Sequence, residues 1–293
     1  MKTSLNDKIY YSIAYTIVCF LVLIVLYPMI LLVSASFSES SAVNAGKVWF
    51  LPVRPTLFNY RMVLQYKSIY IGYRNTIFYT VFGTVNNLIF TFMCAYPLTR
   101  KDLDGRNFFS FLFIFTMFFG GGMIPSYILM RNLGLLNTVF AIIVPGSFSV
   151  WNMIIVRTFI QTSIPFELFE ASKLDGCSDA QYFFRVVLPL SPAVIAVMTL
   201  FYAVGYWNSW FGAFIYITRQ DLYPLSLFLR EILVQNNFRS DIVGDPEMSA
   251  NLVGLYETLK YAVIVISTAP MMCFYPFAQK HFVKGVMIGS LKG

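Results

Sequence analysis

The sequence predicts an all-α polytopic membrane protein: six transmembrane helices, both termini cytoplasmic, one transmembrane domain over residues 1–293. Three observations carry this. First, 58% of the 293 residues are hydrophobic and only 12% are charged, about half the charge of a soluble domain. The mean hydropathy is +0.67. So little polar surface cannot face water on all sides, so most of it faces lipid. Second, six apolar runs reach the roughly 20 residues that cross about 30 Å of hydrocarbon. Third, the runs are continuous rather than alternating, which argues against a transmembrane barrel. Aromatic residues gather near run ends, at Tyr10, Tyr11, Tyr96, Tyr127, Trp207, Trp210 and Tyr275, as interfacial belts require.

The first run, Ile9–Val33, follows Lys2 and Lys8 and leads into Val33-Ser34-Ala35-Ser36, a pattern that imitates a cleavable signal. Its length exceeds the roughly 7–15 residues of a signal core, so it is read as a retained span. An external loop over about 34–71 follows, long enough to be functional. Within it, Pro52 and Pro55 impose extended backbone, and Thr56 can cap a short helix beginning at Leu57.

Span two, Ile77–Leu98, carries Asn86-Asn87 at mid-depth. Span three, Phe108–Leu129, contains Gly120-Gly121-Gly122 and Pro125. That glycine run lacks the strand–loop–helix setting of a phosphate cradle, so a helix kink or close packing accounts for it. Span four, Val139–Ile160, carries Ser147, Ser149, Trp151 and Asn152. Span five, Leu188–Phe211, ends in Trp207-Asn208-Ser209-Trp210. A second external loop, about 218–257, holds a short helix opened by Pro224 and running to Leu233. Span six, Leu259–Gln279, leads into a cytoplasmic tail over about 281–293.

Six spans put both termini on one side. With that side cytoplasmic, the inside segments hold Lys2, Lys8, Arg100, Lys101, Arg106, Arg157, Lys173, Arg185, Lys280, Lys284 and Lys292. The other ten basic residues lie outside in longer loops, which weigh less in setting orientation. The outside cations, Lys47, Arg54, Arg61, Lys67 and Arg74 among them, suit an anionic ligand but equally suit ordinary solvated loops.

Lipid cannot satisfy hydrogen bonds, so polar groups at membrane depth face the protein or a wet path. Asn86, Asn87, Trp151, Asn152, Trp207, Asn208 and Trp210 are therefore candidates for a substrate path, because aromatic faces beside amides suit polyhydroxylated ligands. The alternative is interhelical bonding, each contact worth about 0.6 kcal/mol.

Several chemistries are excluded. Cys19, Cys94, Cys177 and Cys273 have no metal or redox spacing and act as small apolar residues. His281 is the only histidine. No Gly-Lys-Ser or Gly-Lys-Thr occurs, so the chain has no ATPase site of its own, and no catalytic constellation is present. No metal, no cofactor and no nucleic-acid partner is expected.

The inside loop over about 161–185 is the most informative segment. Thr162 or Ser163 can cap a helix with Pro165 in its first turn and Glu167 and Glu170 placed early to suit the dipole. The helix runs to about Leu174. Gly176 ends it by taking positive φ. Asp175 or Ser178 caps the next helix, with Tyr182, Phe183 and Phe184, and Pro189 opens span five. Such a helix–Gly–helix turn suits docking in a partner's groove.

Glu170-Ala171-Ser172, Gly176 and Val186-Val187-Leu188-Pro189 carry the Glu-Ala-small, Gly and Leu-Pro spacing of a known signature. The segment resembles the Glu-Ala-Ala loop of binding-protein-dependent ABC importer permeases, with Ser172 in place of the second alanine. Ile164-Pro165-Phe166-Glu167-Leu168, Asp175-Gly176-Cys177-Ser178 and Tyr223-Pro224-Leu225-Ser226 are similar to the carbohydrate-uptake branch. So is the tail from Phe282 to Gly293. The Leu51-to-Tyr60 loop and the Asp-Gly-Cys-Ser variant are similar to a subgroup that handles complex acidic or lipid-linked saccharides, alginate oligosaccharides among them.

The resemblance implies a type I ABC importer permease fold in a bacterial cytoplasmic (inner) membrane. It implies that Glu170, Ala171, Ser172, Leu174, Asp175, Gly176, Leu188 and Pro189 couple the chain to an ATPase. It further implies a second homologous permease, two copies of a cytoplasmic ABC ATPase that bind ATP and Mg, a solute-binding protein, and an oligosaccharide as substrate. The alternative from another class is an ATP-independent secondary transporter. It calls for intramembrane ionisable residues and repeated halves, and the spans offer almost none of the former and no visible repeat.

Overall fold

The computed structural model describes residues 5–235, 258–274 and 276, and every described regular element is helical. In order these are α1 (Leu5–Ser36), α2 (Ser40–Asn44), α3 (Phe58–Gln65), α4 (Lys67–Ala95), α5 (Arg106–Phe118), α6 (Met123–Asn132), α7 (Phe140–Ile143), α8 (Val150–Ser163), α9 (Phe166–Leu174), α10 (Asp179–Tyr182), α11 (Pro192–Trp207), α12 (Trp210–Tyr216), α13 (Leu225–Gln235) and α14 (Thr258–Phe274). The predicted tail over 281–293, His281 and the stretch 236–257 lie outside the described residues.

Among the described residues two helices are long and apolar enough to cross a membrane, α1 and the segment Lys67–Thr99 that begins with α4. Two bent pairs bring the number to four when each is taken as one span. α14 is a shorter apolar helix.

Three predicted spans differ from the continuous helices expected. Span three breaks between α5 and α6 with a turn of 111°. The break falls on the glycine run, where Gly122 takes φ +82°, a region costly for any residue with a Cβ. Span four divides into α7 and α8 around Pro145-Gly146; proline removes one helical donor and disfavours helix before it. Span five begins at Pro192, which stands at the first position of α11, and not at Leu188-Pro189. Ahead of it the chain turns by 86° between Asp179–Val187 and α11. Span two starts earlier than predicted, at Lys67.

The described residues group into two compact units, one reaching from the N-terminus to residue 69 with 229–269, the other comprising 70–228 and 270–293. In the first, the loop after α1 folds back on the helix end. Ala35, Ala42 and Val48 are buried together, with Tyr261 against them. Asn59 is buried and donates to the carbonyls of Ser36 and Ser38 at 3.4 and 3.3 Å. Thr56 Oγ1 accepts from the Phe58 N–H at 3.2 Å, but α3 begins one residue later than predicted, so Leu57 and not Thr56 holds the N-cap position and no side chain caps the helix. In the second unit one apolar cluster joins α4, α8, the α9–α10 loop and α11 through Ala95, Val156, Phe169, Val187 and Met198. Another joins α4, α7, α11 and α12 through Tyr79, Ile142, Tyr206 and Ala213.

Candidate functional site

The loop between α8 and α11 presents one helix outward. α9 starts directly after Pro165, and neither Thr162 nor Ser163 caps it; both close α8. Proline there fixes φ and sacrifices no helical donor. Phe169 is its one buried residue. Glu170, Ala171, Lys173 and Asp175 are exposed, and Leu174 is 90% exposed. An apolar side chain held that far into water is the feature of an interface centre more than of a solvated loop.

The helix ends as its sequence requires. Gly176 takes φ +76°. Its N–H donates to the Lys173 carbonyl at 3.1 Å, and the Cys177 N–H donates to the Ser172 carbonyl at 2.9 Å, the paired closure of a Schellman end. Of the two caps considered for the next helix, Ser178 takes the role. Its hydroxyl accepts from the Gln181 N–H at 3.2 Å, and its own N–H donates to Gln181 Oε1 at 2.9 Å, a capping box. A π-turn over Phe183–Val187 follows. Leu188 is half-buried and Pro189 exposed in the turn before α11.

What holds α9 in place is Arg100, at the end of the α4 segment. Its side chain is 10% exposed. Nε and Nη2 donate to the two Asp102 carboxylate oxygens at 2.8 and 2.5 Å. Nη1 donates to Asp179 Oδ1 at 3.0 Å, and the guanidinium carbon sits 3.5 Å from the centroid of the Phe169 ring. Lys173 Nζ lies 3.0 Å from the same Asp179 oxygen. Tyr182 stands edge-on to Phe169 at 5.3 Å, and Tyr96 packs on Phe183 at 5.1 Å. The Asp102 hydrogen bonds push the Arg100 guanidinium above its ordinary value, while Arg100 holds the Asp102 carboxyl below its own. Sequence reasoning counted Arg100 only as a topology charge. The signal available was Arg-x-Asp directly after a span, with Asp179 awaiting a cation in the loop.

The substrate-path candidates divide. Asn87 is 2% exposed. It donates to the Gly146 carbonyl at 2.6 Å and accepts from the Tyr206 hydroxyl at 2.9 Å. Asn86 donates to Ser147 Oγ at 2.8 Å. Together they pin the break between α7 and α8 to α4 and α11. Asn152 is buried, and its N–H is capped by Ser149 Oγ at 3.4 Å. Trp151 is 62% exposed. Trp207 lines an apolar cavity of about 390 Å³ with Ile77, Thr84, Thr199 and Phe274. Asn208 is exposed and donates to the Val204 carbonyl of its own helix at 2.9 Å. Trp210 is exposed beside Phe211 and Phe214. Among the described residues no three His, Cys, Asp or Glu side chains gather as metal ligands do.

Comparison with known proteins places this arrangement. A family model described as binding-protein-dependent transport system inner membrane component matches residues 67–288. The chain is 38% identical over 296 aligned residues to the polygalacturonan/rhamnogalacturonan transport system permease protein YtcP of Bacillus subtilis (strain 168), covering 100% of each. It is 40% identical over 270 residues to Protein LplC of the same organism, covering 92% of this chain and 90% of LplC. Its fold matches a chain of a crystallised bacterial ABC transporter involved in the import of the acidic polysaccharide alginate. That match has a TM-score of 0.86 and 35% identity, over 96% of this chain and 99% of the other.

Proposed function

The chain belongs to the binding-protein-dependent transport system inner membrane components, and from this premise we propose that it forms half of an ATP-driven path for an acidic oligosaccharide. It has the type I ABC importer permease fold and is a permease of an ABC importer of sugars or oligosaccharides. In our reading six spans leave both termini and the loop over 161–185 in the cytoplasm, and the loops over 34–71 and 218–257 outside. A second permease completes the path, and a solute-binding protein delivers the sugar. Two copies of a partner ATPase bind ATP and Mg, the chain itself holding no nucleotide.

The observation that carries this is the outward-facing α9, clamped at Phe169 and open at Glu170, Leu174 and Asp175. A chain with no phosphate-binding loop receives the work of ATP hydrolysis through a contact. Here the most exposed apolar side chain of the loop, Leu174, sits on a helix that three charged groups fasten to the spans. Leu188 and Pro189 belong to the turn that passes this contact on to α11. The substrate class rests on relatives named for polygalacturonan and for alginate, both polyuronates by chemistry, and on the cations of the first external loop. We place Trp151, Trp207, Asn208 and Trp210 along the sugar's path, with Asn86, Asn87 and Asn152 behind them.

The test is substrate-stimulated ATP hydrolysis by the reconstituted transporter. Leu174→Asp, Glu170→Lys and Gly176→Pro each abolish stimulation by a uronate oligosaccharide and its binding protein while the permease pair still assembles. Normal coupling in all three overturns the assignment of α9.

A further inference from the structure

Between the loop that follows α4 and the base of α9 lies a pocket of about 410 Å³. Its wall contains Arg100, Lys101 and Arg106 and no carboxylate. Arg100 is fully engaged by Asp102 and Asp179. Lys101 is parked over the Phe166 ring, with Nζ 4.5 Å from its centroid. Thr162 and Gln161 add neutral polar groups to the wall.

A further cation stands behind Arg106. Arg157 of α8 donates from Nη1 to Ser110 Oγ at 3.0 Å, and that hydroxyl is itself donated to the Arg106 carbonyl at 2.7 Å. Nε of Arg157 is buried and has no hydrogen-bond partner. Arg106 and Arg157 are close enough for their charges to oppose each other. Among the described residues no carboxylate comes within ion-pair distance of Lys101, Arg106 or Arg157. Two neighbouring guanidiniums, one with a buried and unused donor, form an arrangement that an anion stabilises.

The position in the membrane narrows the ligand. α5 begins at Arg106 and has no buried residue; Phe108, Phe109, Phe111 and Leu112 all lie open. Taken with the six-span reading, this puts Arg106 where an apolar span gives way to the cytoplasmic loop, a position at which basic side chains meet anionic lipid. We infer that Lys101, Arg106 and Arg157 form a site for a phosphate group, supplied by an anionic lipid headgroup or by free phosphate. Arg106 and Arg157 take two of its oxygens, and Lys101 leaves Phe166 to meet a third. The open aromatic face of α5 gives an acyl chain a surface that free phosphate does not use. The site stands on these residues and on that six-span reading, and does not depend on the transport reading.

The experiment places the purified full-length chain in phosphatidylcholine nanodiscs with trace spin-labelled phosphatidylglycerol or phosphatidylcholine. The readout is the immobilised fraction of each label. The wild-type chain retains the phosphatidylglycerol label preferentially. Arg106→Gln and Arg157→Gln each lower that preference about fivefold, and the double variant brings it close to that of phosphatidylcholine. Arg157→Lys keeps most of it, which separates loss of charge from loss of fold. Lys47→Gln removes an equal charge from a different loop and leaves the preference unchanged. Millimolar inorganic phosphate that displaces the label assigns the site to either source; label that stays assigns it to lipid headgroups. Equal preference in the wild type and the double variant, or an equal loss in Lys47→Gln, overturns the site.

Discussion

The guanidinium carbon of Arg100 lies 3.5 Å from the centre of the Phe169 ring, so the end of one long apolar helix is fastened flat to the only buried side chain of α9. A ring contact of this kind is worth roughly 0.5–2 kcal/mol, and the fork to Asp102 with the bond to Asp179 keeps it in one orientation. Arg100→Ala lowers substrate-stimulated ATP hydrolysis by about tenfold or more while the permease pair still assembles. Arg100→Lys falls between, because a point charge replaces a planar fork. Wild-type stimulation in Arg100→Ala would show that the clamp transmits nothing.

The same pair sets a pH dependence. Arg100 holds the Asp102 carboxyl below its ordinary value of 3.8. A folded value below the unfolded one means the unfolded chain binds more protons in that range, so stability rises with pH. The stabilisation is complete above the ordinary value and is lost as pH falls through the lowered one. The melting temperature of the purified chain therefore drops as pH falls below about 4. Asp102→Asn starts lower and shows a shallower drop over the same interval.

Gly83 reverses a familiar rule. Glycine to alanine inside a helix ordinarily gains roughly 0.5–1 kcal/mol. A Cβ on Gly83 would run into the ring of Tyr206, which is buried and tied to Asn87. Overpacking of this kind costs about 1–3 kcal/mol. Gly83→Ala lowers the melting temperature. Gly205→Ala in α11, where a Cβ meets nothing within 4 Å, leaves it unchanged or raises it.

Asn87 serves two partners on different segments. Asn87→Ala leaves the Gly146 carbonyl and the Tyr206 hydroxyl without it, although the hydroxyl keeps the Ile143 carbonyl at 3.2 Å. An unsatisfied buried group costs roughly 1–3 kcal/mol. Asn208→Ala, which removes only an exposed bond to its own helix, costs less than half as much. A double-mutant cycle on Asn87 and Tyr206 gives a coupling of about 0.6–1.7 kcal/mol. No coupling would show that the two side chains do not act together.

What could be read from the sequence was local. Gly176 and Ser178 announce their roles through chemistry within a few residues: a left-handed end and a capping box. The clamp could not be read that way, because Arg100 and Asp179 meet across 79 positions and only packing brings them together. The breaks at Gly120–Gly122 and Pro145-Gly146 sit inside apolar runs, and apolarity alone does not register a change of direction. Asn86 and Asn87 looked equally suited to lining a path and to bonding helices. The broken segment beside them, exposing the Gly146 carbonyl and Ser147, accounts for the bonds they make.

The 86° turn between Asp179–Val187 and α11 has a mechanical consequence. Across a right-angled elbow, a pull along one arm has almost no component along the other, so it cannot slide α11 through the membrane like a piston. It acts as torque. Arg100, bonded to Asp179 on the short arm, lies close to where a fulcrum would be. The turn at Leu188–Ser191, where the Ser191 hydroxyl grips the Val187 carbonyl at 2.7 Å, is then the corner of a crank. Its stiffness sets how much of any rotation of the short arm reaches α11.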